Sequence, residues 1–101
     1  MYNRYMKKFI DDKYAAVILQ LAHKYLNENP QDKSDRMYHA MSKTLETMDM
    51  YVAWINNMGF MMYQNSIEQM IVYIDSIKYN CTEFSTQQLR EVENYLKSLI
   101  A

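Results

Sequence analysis

SDRMYHAMSKTLETMDMYVAWINNMGF, running from Ser34 to Phe60, decides how this chain folds. Its apolar residues step by three and four through Tyr38, Met41, Leu45, Met48, Val52 and Ile55, the seam of an amphipathic helix. Ser34 or Asp35 opens it, since either side chain accepts a hydrogen bond from the exposed first-turn amides. Asn57-Met58-Gly59-Phe60 closes it, with Gly59 expected in the left-handed conformation of a C-cap and Phe60 folded back on the last turn. Gly59 and Pro30 are the single glycine and the single proline among 101 residues. Tight turns and ligand-gripping loops lean on those two residue types, so the chain reads as helices joined by short connections.

Towards the N-terminus, residues 3–27 place Met6, Phe9, Ile10, Tyr14, Val17, Ile18, Leu21, Tyr25 and Leu26 on one helical stripe, which stops ahead of Pro30. Towards the C-terminus, a new seam runs through Phe60, Tyr63, Ile67, Met70, Ile74 and Ile77. It is one residue out of phase at Gly59, a turn of about 100° around the axis that favours a hairpin over one long helix. This third helix begins at 60, or at 66 if Ser66 and Gln69 form a capping box, and ends near 80. Ser85 and Gln88 form a further capping box, with Phe84 and Leu89 as its hydrophobic staple, and open a fourth helix that buries Leu89, Val92, Leu96 and Leu99. The expected architecture is all-α, a single helical domain over 1–101. It takes the form of a four-helix antiparallel up-and-down bundle with helices at about 3–27, 34–58, 60 or 66–80, and 86–100.

Hydrophobic residues make up 50% of the chain and charged ones 23%, the balance of a globular protein. No apolar run follows Arg4, Lys7 and Lys8 before Asp11 and Asp12, so no secretory signal is expected. The most apolar stretch, Met48 to Ile77, is broken by eight acidic or amide residues and is not expected to cross a membrane. Cys81 is the only cysteine, which leaves no internal disulfide and no cysteine-based zinc site, and fits a cytoplasmic setting, that of the host if the chain is viral. The net charge is −1. Residues 1–43 carry a surplus of three Lys and Arg, residues 44–101 a deficit of four, and no basic residue occurs between Thr44 and Ile77.

Catalytic chemistry finds little support. Asp35 and His39 stand four apart on one helix face and could supply two metal ligands, but no third and fourth accompany them. His23 lies at the edge of the first stripe. Cys81 continues the third seam, with Lys78 as the one cation able to favour a thiolate. Neither an enzyme nor a cofactor or metal binder is expected. The segment around Thr86, Gln87, Gln88 and Arg90 has the outline of a helix-turn-helix recognition helix. Glu83, Glu91 and Glu93 flank it, and only Arg90 and Lys97 could meet phosphates, so charge argues against nucleic acid.

Ten methionines and ten tyrosines exceed what one seam per helix needs. Met50, Trp54, Met61, Met62, Val72, Tyr73 and Tyr79 fall at or beyond the seam edges, in the span poor in Lys and Arg. The expected partner-binding set is Met50, Trp54, Met61, Met62, Tyr73, Glu46 and Asp49, an apolar and acidic face suited to a protein with a basic groove. The expected function is a small non-catalytic protein-binding module, a stoichiometric inhibitor or regulator of the phage-type, anti-defence or immunity-like kind by fold-level analogy. The alternatives are a homodimeric structural bundle and a helix-turn-helix-like DNA-binding regulator using the fourth helix.

Overall fold

The structure, a computed structural model, describes residues 6–31, 33–53 and 59–100, and the side chains of all of these except 50–53. The described chain is mostly helical, with a small antiparallel ribbon. In chain order the elements are β1 (Lys7–Ile10), α1 (Asp12–Glu28), α2 (Arg36–Ala53), β2 (Phe60–Tyr63), α3 (Gln64–Ile77) and α4 (Thr86–Ile100). The helices pack in series, α1 on α2, α2 on α3 and α3 on α4, while α1 touches α3 and α4 only lightly. The two strands pair with each other, and β2 lies against α2.

The four expected helices are present, but the ribbon corrects two of their boundaries. Residues 7–10 do not continue a first helix. They form β1, because Asp11 takes an extended backbone and caps α1, its Oδ1 accepting the Lys13 N–H at 3.1 Å. Residues 60–63 likewise form β2, and α3 starts at Gln64. The Ser66–Gln69 capping box therefore does not form: Ser66 is buried inside α3, and its Oγ has no hydrogen-bond partner among the described residues. Gly59 has no positive φ, so the left-handed cap expected there is absent too. A Cβ at Gly59 would sit 3.0 Å from Cδ1 of Phe9, so this glycine makes room for a ring on the opposite strand.

Two predicted caps are found as expected. Asp35 opens α2, its Oδ1 accepting the amides of Met37 at 2.6 Å and Tyr38 at 3.3 Å. Ser85 opens α4, its Oγ accepting the Gln88 N–H at 3.0 Å, with Leu89 buried and Phe84 packed on the core. Thr86 closes the α3–α4 turn by donating its hydroxyl to the Lys78 carbonyl at 2.8 Å, which satisfies a group that α3 leaves unpaired.

One core draws on every element. Ile18 and Leu21 of α1, Met41 of α2, Phe60 and Met62 of β2, Ile67, Met70 and Ile74 of α3, and Leu89 and Leu96 of α4 are sealed from water. The ribbon joins this core by its inner face only. Its tie to α4 is polar: the Asp11 N–H donates to the Tyr95 hydroxyl at 2.8 Å, and the Tyr95 ring stacks on Tyr14 at 4.1 Å.

Candidate binding face

The register pairs Lys7 with Tyr63, Lys8 with Met62, Phe9 with Met61 and Ile10 with Phe60. Strand side chains alternate between faces, so Lys8, Ile10, Phe60 and Met62 share one side of the ribbon, and Lys7, Phe9, Met61 and Tyr63 the other. Ile10, Phe60 and Met62 are buried. On the outer side Phe9 is 66% exposed and Met61 and Tyr63 are half-buried. An antiparallel sheet with one wet face normally carries polar residues there. This one carries a phenylalanine, a methionine and a tyrosine, with the Lys7 ammonium 5.0 Å from the Tyr63 ring centroid.

The face continues onto α2. His39 and Lys43, one turn apart on its exposed side, join Tyr63 and Asn65 around a groove of about 310 Å³. Lys43 donates to both carboxylate oxygens of Glu46, at 3.3 and 3.4 Å, so its charge is met at the rim. Asp49, further along α2, is also exposed.

Of the expected partner-binding residues, Met61, Glu46 and Asp49 reach the surface or its edge. Met62 and Tyr73 do not. Met62 is buried because residues 60–63 follow the two-residue period of a strand, which pairs it inward with Phe60, whereas a helical wheel sets it at the seam edge. Tyr73 is buried because α3 packs against both α2 and α4 and so needs a wider apolar stripe than one seam. Met50 and Trp54 lie outside the described residues. Phe9 and Lys7, which sequence reasoning assigned to a helix, complete the face. The signal for them was available in Asp11, whose side chain is suited to cap a helix beginning one residue later.

A second cavity, of about 380 Å³, lies between α1 and the α3–α4 turn and is lined by Gln20, His23, Lys24, Asn27, Glu28, Glu83 and Phe84. Its charges satisfy one another. Lys24 bridges Glu28 at 2.8 Å and Glu83 at 3.2 Å. The Tyr73 hydroxyl donates to Glu28 at 2.8 Å, and the Cys81 thiol to Glu83 at 3.3 Å. Its hydrogen bonds to the two carboxylates push Lys24 up to about 12, so it stays protonated and is no base. The Lys24 ammonium holds Glu83 down at about 2 and lowers Glu28 as well, which makes neither a proton donor near neutrality. Burial, then the bond to Glu28, raises the Tyr73 phenol. Lys24, Glu28, Tyr73 and Glu83 thus form a clasp between α1 and the α3–α4 turn.

Near α4, the two cations of the would-be recognition helix are both engaged. Arg90 donates to the Tyr79 hydroxyl at 3.0 Å and lies 5.5 Å from its ring centroid, which lowers the Tyr79 phenol. Lys97 lies 3.4 Å from the buried carboxylate of Glu93, which takes a hydrogen bond from Lys78 at 3.0 Å. Asp35, weighed above as a metal ligand with His39, spends its oxygen on the α2 amides. Among the described residues no group of three or more His, Cys, Asp and Glu could hold a metal ion. No helix of the described chain is long and apolar enough to cross a membrane.

No protein-family model, no curated protein and no solved structure matches this chain.

Proposed function

We propose that the chain is a small non-catalytic module, a helical bundle with a ribbon on its flank, that binds a protein through the outer face of β1–β2. The observation that carries this reading is the chemistry of that face. Its inner side supplies core residues, yet its outer side is also apolar, with Phe9 66% exposed beside Met61 and Tyr63. Exposed aromatic and methionine side chains on a rigid scaffold are favoured interface anchors. Glu46, which meets Lys43 beside the groove, puts acidic charge at the margin of the same surface. A module of this kind acts by occupying its partner's surface, as a stoichiometric inhibitor or regulator does.

The test compares wild-type protein with Phe9→Thr, which puts a β-branched, strand-favouring residue in place of the aromatic ring. Both serve as bait in extracts of the cells that express the chain. The expected result is a protein retained in near one-to-one amount by wild type and lost by Phe9→Thr, with unchanged thermal unfolding. Identical retention by both baits, or by neither, overturns the reading.

A further inference from the structure

Resting on that assignment of the outer face, we infer that β1 is an open docking edge that takes an extended acidic segment of the partner as a third, antiparallel strand. The direction of the backbone groups follows from one bond. The Gln64 N–H donates to the Met6 carbonyl at 3.0 Å, in register with the other pairs of the ribbon. Antiparallel pairs alternate between those that exchange hydrogen bonds and those that do not. Residues 6, 8 and 10 therefore spend their backbone groups on β2, and Lys7 and Phe9 aim their N–H and C=O groups away from it. Among the described residues no backbone group pairs with these four. The next amide on the same edge, Asp11, is taken by the Tyr95 hydroxyl. The edge thus offers a two-residue template with a defined end.

An unpaired edge accepts any chain that can extend along it, and lysines are a common guard against indiscriminate pairing. Here Lys7 and Lys8 put one positive charge on each face of β1. They select the occupant. In the register that lets a second copy share its own Lys7 and Phe9 groups, Lys8 falls opposite its counterpart at the two-fold axis, in the closer, non-hydrogen-bonded kind of pair. Like charges facing one another in that way destabilise a sheet. A foreign strand meets no such conflict if it is acidic opposite Lys7 and Lys8 and apolar opposite Phe9. Read from its own N-terminus, such a strand runs apolar, acidic, acidic. Main-chain bonds to Lys7 and Phe9 supply affinity, and the side chains supply choice.

The probe is an acetylated, amidated hexapeptide that reads valine-glutamate-glutamate twice, titrated into the isotope-labelled whole chain. Its counterparts are the same peptide with lysine for glutamate, and one N-methylated on the bonding edge. Hydrogen exchange at Lys7 and Phe9 should slow by about tenfold or more as the glutamate probe saturates, and the lysine probe should bind about tenfold more weakly. The N-methylated probe should not bind. Lys7→Glu combined with Lys8→Glu should reverse the preference, a readout that a merely destabilised variant would not give. Unchanged exchange at Lys7 and Phe9, or equal binding of both charge types, overturns strand addition. So does protection of those amides by self-association seen in sedimentation, or binding of oligothymidylate in place of the peptide. If a partner retained from extract still depends on Phe9 while the probes fail, the protein-binding reading stands and only the docking mode falls. If Phe9→Thr changes no retention, the binding reading itself falls.

Discussion

Replacing Tyr73 by phenylalanine separates a core residue from a partner anchor. The ring is buried, packs edge-on against Tyr25 at 5.1 Å and 83°, and sends its hydroxyl to Glu28 at 2.8 Å. Phenylalanine keeps the ring and opens no cavity, so the loss is confined to one hydrogen bond. A bond to a charged acceptor contributes about 1.5–3 kcal/mol, but Glu28 is 46% exposed and keeps Lys24 at 2.8 Å, which brings the expected cost of Tyr73→Phe to about 1 kcal/mol. In a domain of this size that lowers the melting temperature by about 4–8 °C. Tyr73→Ala also forfeits the ring and should cost about 3–5 kcal/mol. A second readout is alkaline unfolding. Burial and the bond to Glu28 raise the Tyr73 phenol above its usual 10, so the native state holds that proton more tightly and stability falls as the pH rises past 10. Tyr73→Phe should flatten this alkaline limb. Urea melts across pH 8–11.5 measure both effects. A Tyr73→Phe variant as stable as wild type, with an unchanged alkaline slope, would show that the hydroxyl is not held as described.

The acid limb has its own signature. Glu83 is held at about 2 against an ordinary 4.5, so its contribution is complete above 4.5 and disappears as the pH falls towards 2. Lys24→Met removes the main cause, and its stability should fall less steeply over that range in chemical denaturation; parallel slopes would refute the clasp. Gly59→Ala should leave stability within about 0.5 kcal/mol, because φ is not positive and the exposed Phe9 ring can swing outward. A loss of about 1 kcal/mol or more on calorimetry would restore the left-handed cap. In the free protein, the amides of Lys8 and Ile10 should exchange more slowly than those of Lys7 and Phe9, and the reverse order would contradict the direction assigned to the ladder.

What the sequence reveals here depends on whether one signal dominates locally. Helix α4 is legible to the residue, since Ser85, Gln88, Phe84 and Leu89 all mark the same boundary. Asp35 is similarly plain. Over 6–10 and 60–63 the apolar residues satisfy a helical period and a strand period at once, because four residues are too few to tell 3.6 from 2. What settles the matter is a pairing between segments far apart in the chain, which no local window contains. That ambiguity hides half of the candidate face, because a helical reading takes in Phe9 and Lys7 and sets Met62 outside the core. Glu46 and Asp49 were legible because charged residues on the far side of a seam are exposed in any helical packing.

The ribbon also governs the order of events during synthesis and folding. Its paired residues lie fifty or more positions apart in the sequence. Closing so long a loop is entropically slow compared with coiling a helix or docking sequential neighbours. As the chain leaves the ribosome, residues 7–10 emerge ahead of residues 60–63 and stay unmatched until residue 63 has followed. The helices can settle first, with the N-terminal strand zipped on last, and the same strand is then the piece that a nascent-chain factor would meet while it is still unclaimed.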